Sequence, residues 1–236
     1  MSPALAITKR EMRAYFNSPV AYIVITAFML LAGYFFFATL FLEGQAEMRG
    51  YFERTPLFFS LIIPAITMRL IAEEKGSGTL ELLITMPVRD WEVVVGKFLA
   101  AAGLLGVMLL LTVGYAVTLA SIGPVDKGPT FGGYFGLFLM ASAYAAIGVM
   151  ASSLTRSQIV AFIVAFAISF TLFLFGPIVQ LVPPSLQPIV AFLGMSTHFE
   201  AIVRGVIDSR DVLYYASVIT VSLVVATVSL ESRKWK

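Results

Sequence analysis

Long apolar runs separated by short polar breaks organise this chain. Runs over 20–42, 55–72, 98–122, 132–153, 159–182 and 212–230 are each long enough, or nearly so, to cross a bilayer as a helix, which takes roughly 20 apolar residues. The pattern lacks the alternation of a barrel strand of about 10 residues. Five runs carry no mid-run charge; the short second run holds Arg69 near its end and Pro64 inside it. The expected fold is an all-α integral membrane protein, a single domain over 1–236 with six transmembrane helices. Six crossings place both termini on one side.

The polar breaks predict further elements. Residues 1–18 place Leu5, Met12 and Phe16 near one helical face with Lys9, Arg10 and Arg13 interleaved. That pattern suits an amphipathic helix lying in a headgroup layer, ended by Asn17-Ser18-Pro19. The stretch 73–87 joins Glu73 and Glu74 to two glycines, Gly76 and Gly78, that allow a tight reversal. Ser77 or Thr79 then caps a helix of about two turns that Pro87 ends. On it Leu80, Leu83 and Ile84 share a face, flanked by Glu81. An apolar ridge beside acids fits a groove in another protein, or lies on the membrane surface. Asp90 is placed to cap the third run, with Trp91 at the interface. The loop 183–211 contains a short re-entrant or interfacial segment, Ile189 to Gly194, and then a helical stretch from Thr197.

Composition changes the picture mainly by exclusion. The chain has 236 residues, 59% hydrophobic and 13% charged, against about 25% charged in a soluble domain. The net charge of +2 and the absence of a basic run exclude a nucleic-acid footprint. Without Cys there are no disulfides, thiolate metal sites or Cys nucleophiles. No cleavable signal peptide is expected, because the first apolar run exceeds a signal core. Eleven Lys and Arg fall on the side of the termini and five on the other. The positive-inside rule then makes both termini cytoplasmic.

Candidate chemistry is sparse. No Walker A motif, H-E-x-x-H or G-x-S-x-G is present. His198 is the sole histidine; it and Glu200 diverge on a helix, so no metal site is expected. Glu200 and Arg204 are spaced for an i, i+4 ion pair. Arg69 anchors the second run at the interface or pairs with Glu73 or Glu74. Gly132 and Gly136, Ala141 and Ala145, and Gly148 and Ser152 repeat the small-x-x-x-small spacing of close helix packing, within the chain or in a dimer seam. No acid lies mid-membrane to carry protons or sodium. A catalytic role is therefore not expected, and an energy source would come from a partner.

Several stretches resemble the ABC-2 type permeases, the membrane subunits of ATP-binding-cassette transporters. They are Leu61 through Glu73-Glu-Lys-Gly-Ser-Gly-Thr-Leu-Glu to Pro87, Gly96-Lys97-Phe98, Ala146 to Thr155 and His198 to Asp208. The nearest branch is similar to the gliding-motility-type permeases, with the copper-maturation permeases of nitrous oxide reductase as neighbours. The resemblance implies that residues 1–18 form a connecting helix and that 73–87 is a coupling helix docking in a separate ATPase. It also implies outer-side helices over 189–211, where His198, Glu200 and Arg204 lie, that cap the pathway. Two permeases, identical or related, would pair with two ATPases that hold ATP and Mg; this chain would hold no cofactor. The implied location is a bacterial inner membrane, and an extracytoplasmic membrane-anchored partner is a further implication. Two functions stay open: moving a substrate, with a lipid-like or partner-delivered cargo favoured, or transmitting force to an external partner. An ATP-independent scaffold is the third, disfavoured by 73–87.

Overall fold

A computed structural model describes residues 2–41, 47–79, 88–123 and 125–232. Most of the described residues are helical, and none of them forms a strand. The helices are α1 (Pro3–Asn17), α2 (Pro19–Phe41), α3 (Arg49–Thr67), α4 (Arg69–Ser77), α5 (Asp90–Ile122), α6 (Lys127–Leu154), α7 (Gln158–Ile178), α8 (Gln187–Leu193), α9 (Met195–Val203) and α10 (Ser209–Glu231). A single 3-10 turn, Val179–Leu181, extends α7. Six helical stretches are long and apolar enough to cross a membrane: α2, α3 with α4, α5, α6, α7 with its 3-10 turn, and α10. Both termini, the α4–α5 connection and the α6–α7 turn share one end of the bundle, called here the terminal face.

Several spans are longer than their apolar runs. The second covers Arg49–Ser77 and the third Asp90–Ile122. Their polar ends continue the helix beyond the apolar stretch, which hydropathy alone cannot register. The third is not capped by Asp90, which is its first helical residue. Glu92, one turn in, accepts from the Arg89 backbone N–H at 2.9 Å instead.

α6 is the hub: 78% of its most apolar window is buried, against 17% for α7 and 22% for α10. Its small residues explain why. A Cβ at Gly132 would strike the Ile202 carbonyl, one at Gly136 would meet the Phe199 ring at 3.0 Å, and one at Gly148 would strike Thr67. The small-x-x-x-small seam is thus filled from within the chain by α3 and α9. Polar atoms add interhelical ties. Tyr51 Oη donates to Thr112 Oγ1 at 3.1 Å, and Tyr134 Oη to the Thr112 carbonyl at 2.7 Å, linking α3, α5 and α6.

The second span is interrupted at Met68. Pro64 lacks the N–H that would complete the ladder before it. Beyond the break, the Ser152 hydroxyl accepts from the backbone N–H groups of Ile71 and Ala72 at 3.0 and 2.9 Å and donates to the Met68 carbonyl at 2.8 Å. One side chain from α6 therefore supplies partners that lipid cannot.

Candidate coupling site on the terminal face

α1 packs along α5. Its buried residues are Ala4, Ile7 and Tyr15, a stripe one position away from the expected face. Leu5 is 50% exposed, and Met12 and Phe16 are only partly buried. The reason is a docking partner that hydropathy does not reveal: Gly96. A Cβ there would lie 2.9 Å from the Ala4 carbonyl oxygen and 2.8 Å from Ile7. The Thr8 hydroxyl bonds the Gly96 carbonyl at 3.1 Å across this approach. Lys9, Arg10 and Arg13 point to the exposed side.

The close approach brings four charges together. Lys97 has a side chain only 1% exposed, with its Nζ 2.8 Å from Glu74 and 3.2 Å from Glu11. Arg10 reaches Glu11 at 2.7 Å and Glu74 at 3.6 Å from the solvent side. Burial pushes the Glu11 carboxyl up, but Lys97 and Arg10 outweigh it and hold the group below its ordinary value. Glu74 lies in the last turns of α4 before the 78–89 connection, and Lys97 lies about two turns into α5 beyond it. The cluster fastens both roots of that connection to α1.

The connection itself departs from expectation at its start. Gly76 is helical, inside α4, and packs near the Arg156 carbonyl. Only Gly78 turns the chain, with φ +74 as the left-handed cap of α4. Ser77 does not start a following helix; its hydroxyl bonds back to the Glu73 carbonyl at 2.9 Å. Thr79 sits beside it, hydroxyl to hydroxyl at 2.9 Å. Leu80, Glu81, Leu83, Ile84 and Pro87 lie outside the described residues. Lys75 reaches across to the Ser153 carbonyl at the end of α6, which Ser229 also caps at 2.9 Å.

Arg69 makes no ion pair with Glu73 or Glu74. The helix continues two further turns beyond it, and Glu74 is taken by Lys97 and Arg10. Arg69 instead lines a cavity of about 370 Å³ with Tyr15, Glu73 and Glu74.

The opposite face is held by the sole histidine. His198, within α9, bonds Asp211 at 2.6 Å through Nδ1 and the Phe192 carbonyl at 3.0 Å through Nε2. Its ring stacks on Tyr214, centroids 4.1 Å apart. Each ring nitrogen thus lies against an oxygen, which fixes the orientation of the ring. The Glu200–Arg204 pair spans 4.0 Å and is exposed. Nearby, a cavity of about 920 Å³ has an apolar lining that includes Phe52, Pro56, Phe173 and Phe199, beside Glu53 and Arg204. Among the described residues no three His, Asp or Glu side chains gather as a metal site.

Lys97, Glu11 and Asp211 carry these two sites, and sequence reasoning did not single them out for them. The one available signal was the Gly96-Lys97 pair: a charged residue following a small one, near the start of an apolar run.

A six-span helical bundle with an ion cluster at one end and short helices at the other defines a polytopic membrane protein. The family model described as ABC-2 family transporter protein matches residues 39–235, and the chain belongs to that family. It is a multi-pass membrane transport subunit, the permease of an ABC transporter, of a kind that is generally non-catalytic and works with an ABC ATPase and membrane lipid. α1 precedes the matched stretch. No curated protein matches the chain.

Proposed function

We propose that the terminal face is cytoplasmic and that an ATPase subunit, holding ATP and Mg, docks on the segment from Glu73 to Pro87. Force on that segment passes through the Glu74–Lys97–Glu11 cluster into the second span, the third span and α1 together. The observation that supports this reading is the cluster's position at both roots of the connection. A loop free at either root would absorb the ATPase's motion in its own backbone. One tied at both roots passes it on to two spans. In this reading α1 is the interfacial connecting helix, and Leu80, Leu83 and Ile84 form the apolar key.

The working unit is a homodimer of this chain with two ATPases, in a bacterial inner membrane, within or near the gliding-motility-type branch. The poorly buried faces of α2, α7 and α10 leave room for a second copy as well as lipid. The apolar cavity with charged groups on the opposite face favours an amphiphilic cargo over a hydrophilic solute.

The test is Leu83→Asp in vesicles reconstituted with the ATPase. The expected outcome is a permease that inserts normally while ATP hydrolysis no longer responds to it. Unchanged coupling and assembly would remove the assignment. If the wild-type complex couples ATP hydrolysis to the permease but moves no cargo, it transmits force to an extracytoplasmic partner instead.

A further inference from the structure

Two polar groups beside the small cavity of the terminal face lack the partners that their burial demands. The Tyr15 hydroxyl and Glu74 Oε2 are shielded from solvent and accept or donate no hydrogen bond. Arg69, half-buried in the same cavity, makes no ion pair and no side-chain hydrogen bond among the described residues. A buried polar atom without a partner is uncommon, because desolvation is then uncompensated. Two beside one cavity, with a part-buried guanidinium on its wall, point to a ligand.

The groups differ in sign, and that defines its chemistry. Arg69 presents a planar cation suited to phosphate or carboxylate oxygens. Tyr15 stays a neutral phenol, since burial and the nearby Glu11 carboxylate push it well above its ordinary value; it can donate to the same oxygens. Glu74 Oε2 is an anionic acceptor and calls for a cationic N–H donor. The lining sets Arg69 and Lys97 against Glu11, Glu73 and Glu74, and Arg10 pairs with Glu11 and Glu74 from the solvent side. A net-neutral zwitterion therefore fits better than a simple anion. Water could fill the space, but it cannot neutralise a guanidinium.

The level of the cavity indicates the source. It lies between α1 and the end of the second span. Tyr22, just past α1, and Trp91, at the start of α5, are 58% and 45% exposed. Exposed amphipathic rings of this kind mark the headgroup level of a membrane. We propose that this cavity binds the phosphoethanolamine headgroup of a lipid from the adjoining leaflet, with Arg69 and Tyr15 on the phosphate and Glu74 on the ammonium. A bound lipid would join α1 to the second span beside the ion cluster. The site rests on the membrane fold alone and not on ATPase docking.

The test uses the full-length permease purified in detergent. It is offered phosphatidylethanolamine, phosphatidylcholine or phosphatidylglycerol with identical acyl chains, and retained lipid is counted by native mass spectrometry. Phosphatidylethanolamine should be retained several-fold over the others. A trimethylammonium has no N–H for Glu74, and a glycerol headgroup has no cation. Arg69→Met should reduce its retention about tenfold and Tyr15→Phe about threefold, the scale of a lost charged and a lost neutral hydrogen bond. Arg69→Lys, which keeps the charge but not the fork, should fall between. If Arg69→Met does not purify as a folded protein, Tyr15→Phe and Arg69→Lys carry the test. Equal retention of the three lipids, or no change in these variants, overturns the proposal. Displacement of the lipid by an equal concentration of soluble phosphoethanolamine would overturn the lipid source.

Discussion

Replacing Lys97 by Met removes the only charge at the centre of the cluster. Methionine matches the lysine stem in length, so the packing against α1 is kept and the change is electrostatic. What remains is Glu11 and Glu74, with side chains 15% and 20% exposed, sharing Arg10, which is 54% exposed. Removing one partner of a buried ion pair costs about 3–5 kcal/mol. Arg10 stays, and the carboxylates keep some contact with water, so the lower end, about 3 kcal/mol, is expected. For a domain of this size that corresponds to about 6–12 °C in Tm.

The pH dependence carries the sharper test. Glu11 is held below its ordinary value of 4.5 in the folded protein. It therefore stabilises the fold above about pH 4.5, and this contribution is lost as pH falls through the lower, folded-state value. Without Lys97, burial of Glu11 is opposed only by Arg10, and acid relieves the repulsion between the carboxylates. The stability gap between wild type and Lys97→Met should narrow from pH 7 to pH 4. Adding Glu11→Gln to Lys97→Met should also recover part of the loss, because one uncompensated carboxylate is gone. Thermal unfolding of the detergent-solubilised protein reads all three. A gap that stays constant with pH, or no recovery in the double variant, would falsify the electrostatic account.

Further outcomes follow from single contacts. Ser152→Ala leaves the Ile71 and Ala72 N–H groups and the Met68 carbonyl without that hydroxyl; a loss of about 1–3 kcal/mol is expected in unfolding, with faster hydrogen exchange at 71 and 72. Gly96→Ala forces α1 off α5, since the nearest atoms include backbone at 2.9 Å. It should cost about 1–3 kcal/mol and raise proteolysis within α1, while an unchanged digestion pattern would count against that docking. His198→Phe keeps a ring over Tyr214 but loses both hydrogen bonds. A Tm lowered by several degrees is expected, and Asp211→Asn added to it should cost little more, because the two act as one unit.

How far the sequence carried can be judged residue by residue. The six spans were legible because the bilayer requires apolar length, and length is a one-dimensional property. The end of α1 at Ser18 was legible too, because proline restricts the residue before it. The stripe that α1 buries was not. Ala4, Ile7 and Tyr15 are buried rather than Leu5, Met12 and Phe16, and for Ala4 and Ile7 the reason is the close approach that Gly96 permits. Arg69 was open to pairing with Glu73 or Glu74 by spacing, yet Glu74 is committed to a lysine that lies beyond the connection. That competition is set by distance in space, which sequence separation does not encode.

The same distinction separates the whole protein into two parts. Class, span number and the scarcity of chemistry were decided by the sequence alone, since a 13% charged chain must hide its backbone in helices and its surface in lipid. Which charges meet was decided only by tertiary structure. Lys97 reads as one more basic residue flanking a span until α1 folds against Gly96 and brings Glu11 to it opposite Glu74 of α4. His198 likewise reads as a lone histidine until α9 and α10 bring Asp211 to 2.6 Å. Burial then gives these few charges their weight, because an ion removed from water must find its partner within the fold.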